Sequence, residues 1–148
     1  MTAAGLRAAS VKGTLVNHSE KPVSRAHVVT AVMLCSKYRL TSVVCAPTLE
    51  AVKSVLKDCE PDFIAYEPSE LIGGDVSVTS ASPDVIKKAA AAIAQSRRKT
   101  KLLCGAGVKN GADVAAALRL GAVGVLVASG VVKAKKPEKV LRELVSAL

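Results

Sequence analysis

Five short runs of β-forming residues recur along the chain, and each is apolar nearly throughout instead of alternating with polar residues. They lie at 13–17 (Gly-Thr-Leu-Val-Asn), 41–46 (Thr-Ser-Val-Val-Cys-Ala), 62–67 (Asp-Phe-Ile-Ala-Tyr-Glu), 101–104 (Lys-Leu-Leu-Cys) and 122–127 (Ala-Val-Gly-Val-Leu-Val). A strand that is apolar on both faces is covered on both faces, which is the mark of a parallel sheet. The intervals between the runs carry helical patterns. Ser82-Pro83-Asp84 combines an N-cap serine, a proline at the first helical position and an acid in the first turn, and Ile86, Ala90 and Ile93 follow at helical spacing. Further helices are expected over 24–38, 48–57 and 112–120, with Gly121 as a stop. A last helix opens at Pro137, with Val140, Leu141, Leu144, Val145 and Leu148 as one apolar stripe.

Strand and helix therefore alternate five times, which predicts an α/β architecture with right-handed crossovers. No Pro/Gly/Ser-rich linker divides the 148 residues, so residues 1–148 are expected to form one domain. On length alone an open doubly wound sheet of five strands fits, whereas a closed eight-fold barrel needs about 250 residues.

Composition narrows the function classes. Half of the residues are hydrophobic, only 2% are aromatic and there is no Trp. The core is therefore aliphatic, which disfavours an immunoglobulin-like sandwich and leaves few platforms for stacking single-stranded bases. The net charge of +9 favours anionic partners. The basic residues form no dense stripe, so nucleic-acid binding ranks last and a phosphorylated small molecule first. The cluster Lys133, Lys135, Lys136 and Lys139 reads mainly as solvated surface, with attraction of an anion as the lesser reading. Cys35, Cys45, Cys59 and Cys104 form no CxxC pair and match no zinc spacing, as for reduced thiols of a cytoplasmic protein. The first residues have no apolar core for a signal peptide, and no apolar run is long enough to span a bilayer.

In parallel α/β folds the chemistry sits beyond the C-terminal ends of the strands. There the sequence reads Asn17-His18-Ser19-Glu20, Glu67-Pro68-Ser69-Glu70-Leu71-Ile72-Gly73-Gly74, Cys104-Gly105-Ala106-Gly107 and Ala128-Ser129-Gly130. Each piece has a plain structural reading. His18 can be a polar strand end, Glu67 half of an ion pair, and a glycine turn a steric necessity. His27, inside the first long helix, reads as surface. Together, a His and a carboxylate on one face suit proton abstraction beside a carbonyl. Two Gly-rich turns on successive strands suit a phosphate.

These segments, in order and at matching spacing, resemble triosephosphate isomerase of the compact archaeal type. Residues 13–20 resemble the segment with its catalytic His, 65–73 the segment with its catalytic Glu and lid, and 103–108 and 124–131 its two phosphate-binding turns. The resemblance implies five βα units corresponding to the C-terminal part of a TIM (β/α)8 barrel, strands 4–8, incomplete as a single chain. It implies interconversion of dihydroxyacetone phosphate and glyceraldehyde 3-phosphate, in glycolysis and gluconeogenesis. Glu67 would move the proton and His18 would act as a neutral electrophile, with Glu20 as a supporting acid. Ile72, Gly73, Gly107, Ala128 and Ser129 would hold the phosphate. No metal or organic cofactor is implied.

Three departures accompany the likeness. The family's first strand carries an Asn-x-Lys whose Lys binds substrate, and no residue here matches it. The expected partner is therefore a second copy, or a chain that supplies the first three units. Gly74-Asp75 stands where the archaeal pattern has Thr-Gly, and Lys21-Pro22 follows His-Ser-Glu in place of the usual pair. The alternative reading is a non-catalytic barrel relic that binds phosphate or a protein partner.

Overall fold

A computed structural model describes residues 2–74 and 76–148. Asp75, and with it half of the Gly74-Asp75 departure, lies outside the described residues. The chain opens with α1 (Ala3–Ala8), then runs β1 (Gly13–Val16), α2 (Arg25–Lys37), β2 (Thr41–Ala46), α3 (Leu49–Asp58) and β3 (Phe63–Tyr66). A 3-10 turn at Ser69–Leu71 and the short α4 (Val78–Ala81) precede α5 (Pro83–Gln95), β4 (Lys101–Cys104) and α6 (Gly111–Arg119). The chain ends with β5 (Gly124–Val125), α7 (Ser129–Val132) and α8 (Pro137–Val145).

Local chemistry starts the helices. The side chains of Ser24, Thr48 and Asn110 accept from the backbone N–H of His27, Ala51 and Asp113, so α2, α3 and α6 each begin on an N-cap. At α5 the expected serine is in place, but its hydroxyl makes no cap bond. Pro83 at the first helical position starts the helix instead. The Lys21-Pro22 pair leaves the next helix undisturbed, because α2 starts three residues beyond Pro22 behind Ser24.

The strands form one parallel sheet in the order β1-β2-β3-β4-β5. Strictly sequential order excludes the doubly wound alternative, which reverses direction at a switch point. It is the order of a barrel wall, here an arc of five strands of the eight in a (β/α)8 barrel.

Register pairs in a parallel sheet share a face, so rows of side chains can be read across it. The row Val16–Val44–Ile64–Leu102 and the row Ala46–Tyr66–Cys104–Val125 face the helices. The second row, with Ile64 and Leu102 and with Val52, Leu56, Ile86, Ala89, Ile93 and Ala117 from α3, α5 and α6, makes the main core, and Val16 and Val44 pack with Val28 and Val32 of α2 and with Cys59. The row Leu15–Val43–Phe63–Lys101 lies on the other, concave face and is only partly covered, with Leu15 45% exposed.

Two expectations are corrected. The last apolar run is a strand only at Gly124 and Val125, flanked by the bonds from Val123 N to Leu102 O and from Leu126 N to Cys104 O, both 2.8 Å. The stripe on α8 is mostly open: Leu144 is buried, but Leu141 and Val145 are exposed, and Leu148 lies beyond the helix end. No helix among the described residues is long and apolar enough to cross a membrane.

Candidate active site

The alternation that turns Tyr66 toward the helices turns Glu67 toward the concave face. Glu67 is anchored by its own N–H, which donates to Ala46 O at 3.0 Å, and the residue is 93% buried, being 7% exposed. Its Oε2 has no hydrogen-bond partner. A buried, unpaired carboxylate oxygen is costly to maintain, so its presence points to a missing partner at this spot. The buried Cys45 thiol lies against the same carboxylate. Burial first, and then this neighbour, push that thiol well above its ordinary range.

His18 reaches the same place from the end of β1. Asn17 turns the chain there in the left-handed region, at φ 63°, and fixes the turn with both ends of its amide. Its Nδ2 donates to Cys45 O at 3.1 Å, and its Oδ1 accepts from Val23 N at 3.0 Å. His18 Nδ1 accepts from the backbone N–H of Glu20 at 3.3 Å. A nitrogen that accepts a hydrogen bond carries no proton, so of the two neutral tautomers this contact favours the one with its proton on Nε2. Nε2 stands 4.0 Å from Glu67 Oε2. That is too far for a direct bond, and the two groups point into shared space. The Glu20 carboxylate is 3.9 Å from Nδ1, but its side chain is 89% exposed, so its backbone is the part of Glu20 that holds the ring.

That shared space is a cavity of 430 Å³. Its lining includes His18, Glu67, Ile72, Gly73, Gly107, Ala128 and Ser129, so every residue singled out from the sequence meets at one opening. Lys109 and Lys133 also line it and bring positive charge beside the two turns. The turn after β4 is under backbone strain. Ala106 and Gly107 both have positive φ, 70° and 69°. A Cβ on Gly107 would come within 2.7 Å of Val76 C, so only glycine lets Val76 and Ser77 pack down on this turn. Val78 N donates to Ala106 O at 3.1 Å and ties the same segment to it.

Comparison with known proteins places the chain in one family. The family model described as triosephosphate isomerase matches residues 1–147. The triosephosphate isomerase of Methanocaldococcus jannaschii is 46% identical over 134 residues, 90% of this chain and 61% of that protein.

The chain belongs to the triosephosphate isomerase family.

The archaeal triosephosphate isomerase of Methanobrevibacter smithii is 41% identical over 140 residues, 95% of this chain and 63% of that protein. The chain thus spans under two thirds of these curated relatives, and its five parallel strands correspond to the C-terminal part of the triosephosphate isomerase barrel. A solved structure of a mutant tryptophan synthase alpha-subunit from Pyrococcus furiosus superposes with a TM-score of 0.69 at 20% identity, over 97% of this chain and 59% of that one. At that identity the likeness concerns the fold alone.

Sequence reasoning missed three residues that shape the site. Asn17 was read as the end of a strand, whereas its amide bridges two segments. Cys45 was read as a generic thiol, although its place one residue before the helix-facing Ala46 put it on the inner face. Lys133 was grouped with a solvated cluster, although it stands four residues after Ser129, one helical turn on.

Proposed function

We propose that the chain carries the reacting residues of a triose-phosphate isomerase, which interconverts dihydroxyacetone phosphate and D-glyceraldehyde 3-phosphate. The observation that carries this reading is the pairing of an unpartnered, buried Glu67 Oε2 with the Nε2 face of a neutral His18 across a cavity that also holds two Gly-rich turns.

In this mechanism the Glu67 carboxylate removes a proton from the carbon beside the substrate carbonyl and returns it to the adjacent carbon. Glu67 Oε2, which has no hydrogen-bond partner, is the oxygen free to take that proton. His18 Nε2–H donates to the carbonyl oxygen and then to the enediolate oxygen as negative charge develops there. The backbone at Gly107, Ala128 and Ser129 holds the phosphate, with Ile72 and Gly73 closing over it from the lid. Three further βα units close the barrel and bring the family's substrate-binding Lys. They come from another part of the polypeptide or from a partner chain. The four unpaired thiols suit the reducing cytoplasm.

The test is turnover of D-glyceraldehyde 3-phosphate by this chain alone, and by this chain mixed with a polypeptide of the three N-terminal βα units of an archaeal relative. The reading expects turnover in the mixture, lost on Glu67→Gln. It fails if neither preparation turns over substrate, or if Glu67→Gln leaves the rate unchanged. Binding of phosphoglycolate without turnover would favour the phosphate-binding relic instead.

A further inference from the structure

We propose that Lys133 is a specificity-determining residue of this cavity, a cation that selects ligands carrying a phosphate dianion and raises their local concentration at the mouth. This rests on the triose-phosphate reading and adds a residue that supplies charge to it from within the chain. Lys133 caps the C-terminus of α7, where its backbone N–H donates to Ser129 O at 3.0 Å. Side chains on a helical turn lean back toward its start, and residues four apart stack on one face. Lys133 therefore stands one turn on from Ser129, and Ala128, Ser129, Gly130 and Lys133 all line the cavity.

Two further observations separate Lys133 from the rest of the basic cluster. Lys135, Lys136 and Lys139 are exposed but line none of the cavity, whereas Lys133 does. Among the described residues Lys133 has no ion pair: the acidic side chains of the cavity, Glu20 and Glu67, lie against His18, and Glu138 is taken by Arg142. A cation held beside a phosphate-sized opening, with no carboxylate bound to it, is available to an anionic ligand. A neutral triose gains nothing from it. Because the ammonium stays in solvent, its pull is screened by salt.

The experiment measures binding of inorganic phosphate and of phosphoglycolate to the full chain, at low and high ionic strength, with Lys133→Ala, Lys133→Arg and Lys139→Ala variants checked for native circular dichroism. The proposal expects Lys133→Ala to weaken both ligands about fivefold at low salt, the scale of one exposed charge interaction. The deficit should shrink at high salt, and Lys133→Arg should restore binding. Lys139→Ala should leave binding unchanged. Equal weakening by Lys133→Ala and Lys139→Ala would mean a diffuse field and overturn the proposal, as would wild-type affinity in Lys133→Ala. In both cases the triose-phosphate reading stands. A wild-type chain that binds neither ligand would overturn the proposal and the substrate class together.

Discussion

The Glu67 carboxylate rests directly on the Cα of Gly105: a Cβ built there would lie 2.6 Å from Glu67 Cδ, inside van der Waals contact. Two adjacent strands thus share one volume, filled by the carboxylate because the next strand has given up its side chain. Gly105→Ala is expected to push the carboxylate off its position while leaving the helix-facing core intact. In the completed isomerase, kcat should fall about 100-fold, the cost of an ångström-scale misplacement. Phosphate affinity should change little. Steady-state kinetics with phosphoglycolate inhibition would separate the two, and equal loss of both would contradict this account.

Asn17 links β1 to its surroundings through both ends of its amide, so Asn17→Ala removes two hydrogen bonds and leaves an alanine at φ 63°. The expected cost is about 2 kcal/mol of stability. A lower kcat should accompany it, because His18 is the next residue. Urea denaturation and turnover should therefore move together. A variant with native stability and native kcat would show that the turn holds without the amide.

Ile64 is fully buried on the central strand, between the helices of the main core. Ile64→Ala is expected to cost about 3 to 4 kcal/mol through lost burial and the cavity left behind. The midpoint of chemical denaturation should fall with little change in slope.

Burial holds the Cys104 thiol up to about 12, against an ordinary 9.0. The folded state binds its proton more tightly than the unfolded state. The corresponding stability is therefore fully present below pH 9.0 and is lost as the pH rises from there toward about 12. Stability followed from pH 8 to pH 11 should decline, and it should decline less steeply in Cys104→Ala. In the native protein at pH 8, thiol reagents should react slowly with all four cysteines, which are buried.

Most of the wall was legible because its signal is repeated. Five continuous apolar runs, each followed by a helical stretch, leave few alternatives, and β2 and β4 match the runs at 41–46 and 101–104 at both ends. The sequence was weakest where elements are short or bury nothing. Helix α1 has no buried residue and so no apolar stripe to read, and only Thr2, which accepts from Gly5 N, marks its start. The 3-10 turn, α4 and α7 are one turn or less and fall below any periodicity. The start of α4 joins a local cap, Ser77 Oγ accepting from Thr79 N, to a tertiary bond from Val78 N to Ala106 O. At the site, residue types and strand ends pointed to His18 and Glu67, which line one cavity. The proton on Nε2 of His18 depends on a backbone N–H two residues away, a matter of turn conformation that no spacing encodes.

The sequential strand order places β1 at the rim of the arc, paired on one side only, and β1 is the strand that delivers His18. Glu67, by contrast, stands on β3 at the centre of the sheet. Of the two proposed reacting groups, one thus stands at the centre of the sheet and the other at its edge. Whatever pairs with the free side of β1 will tune the imidazole before it touches the carboxylate, so an ill-fitting assembly would announce itself first as slow chemistry in a protein whose helices look intact.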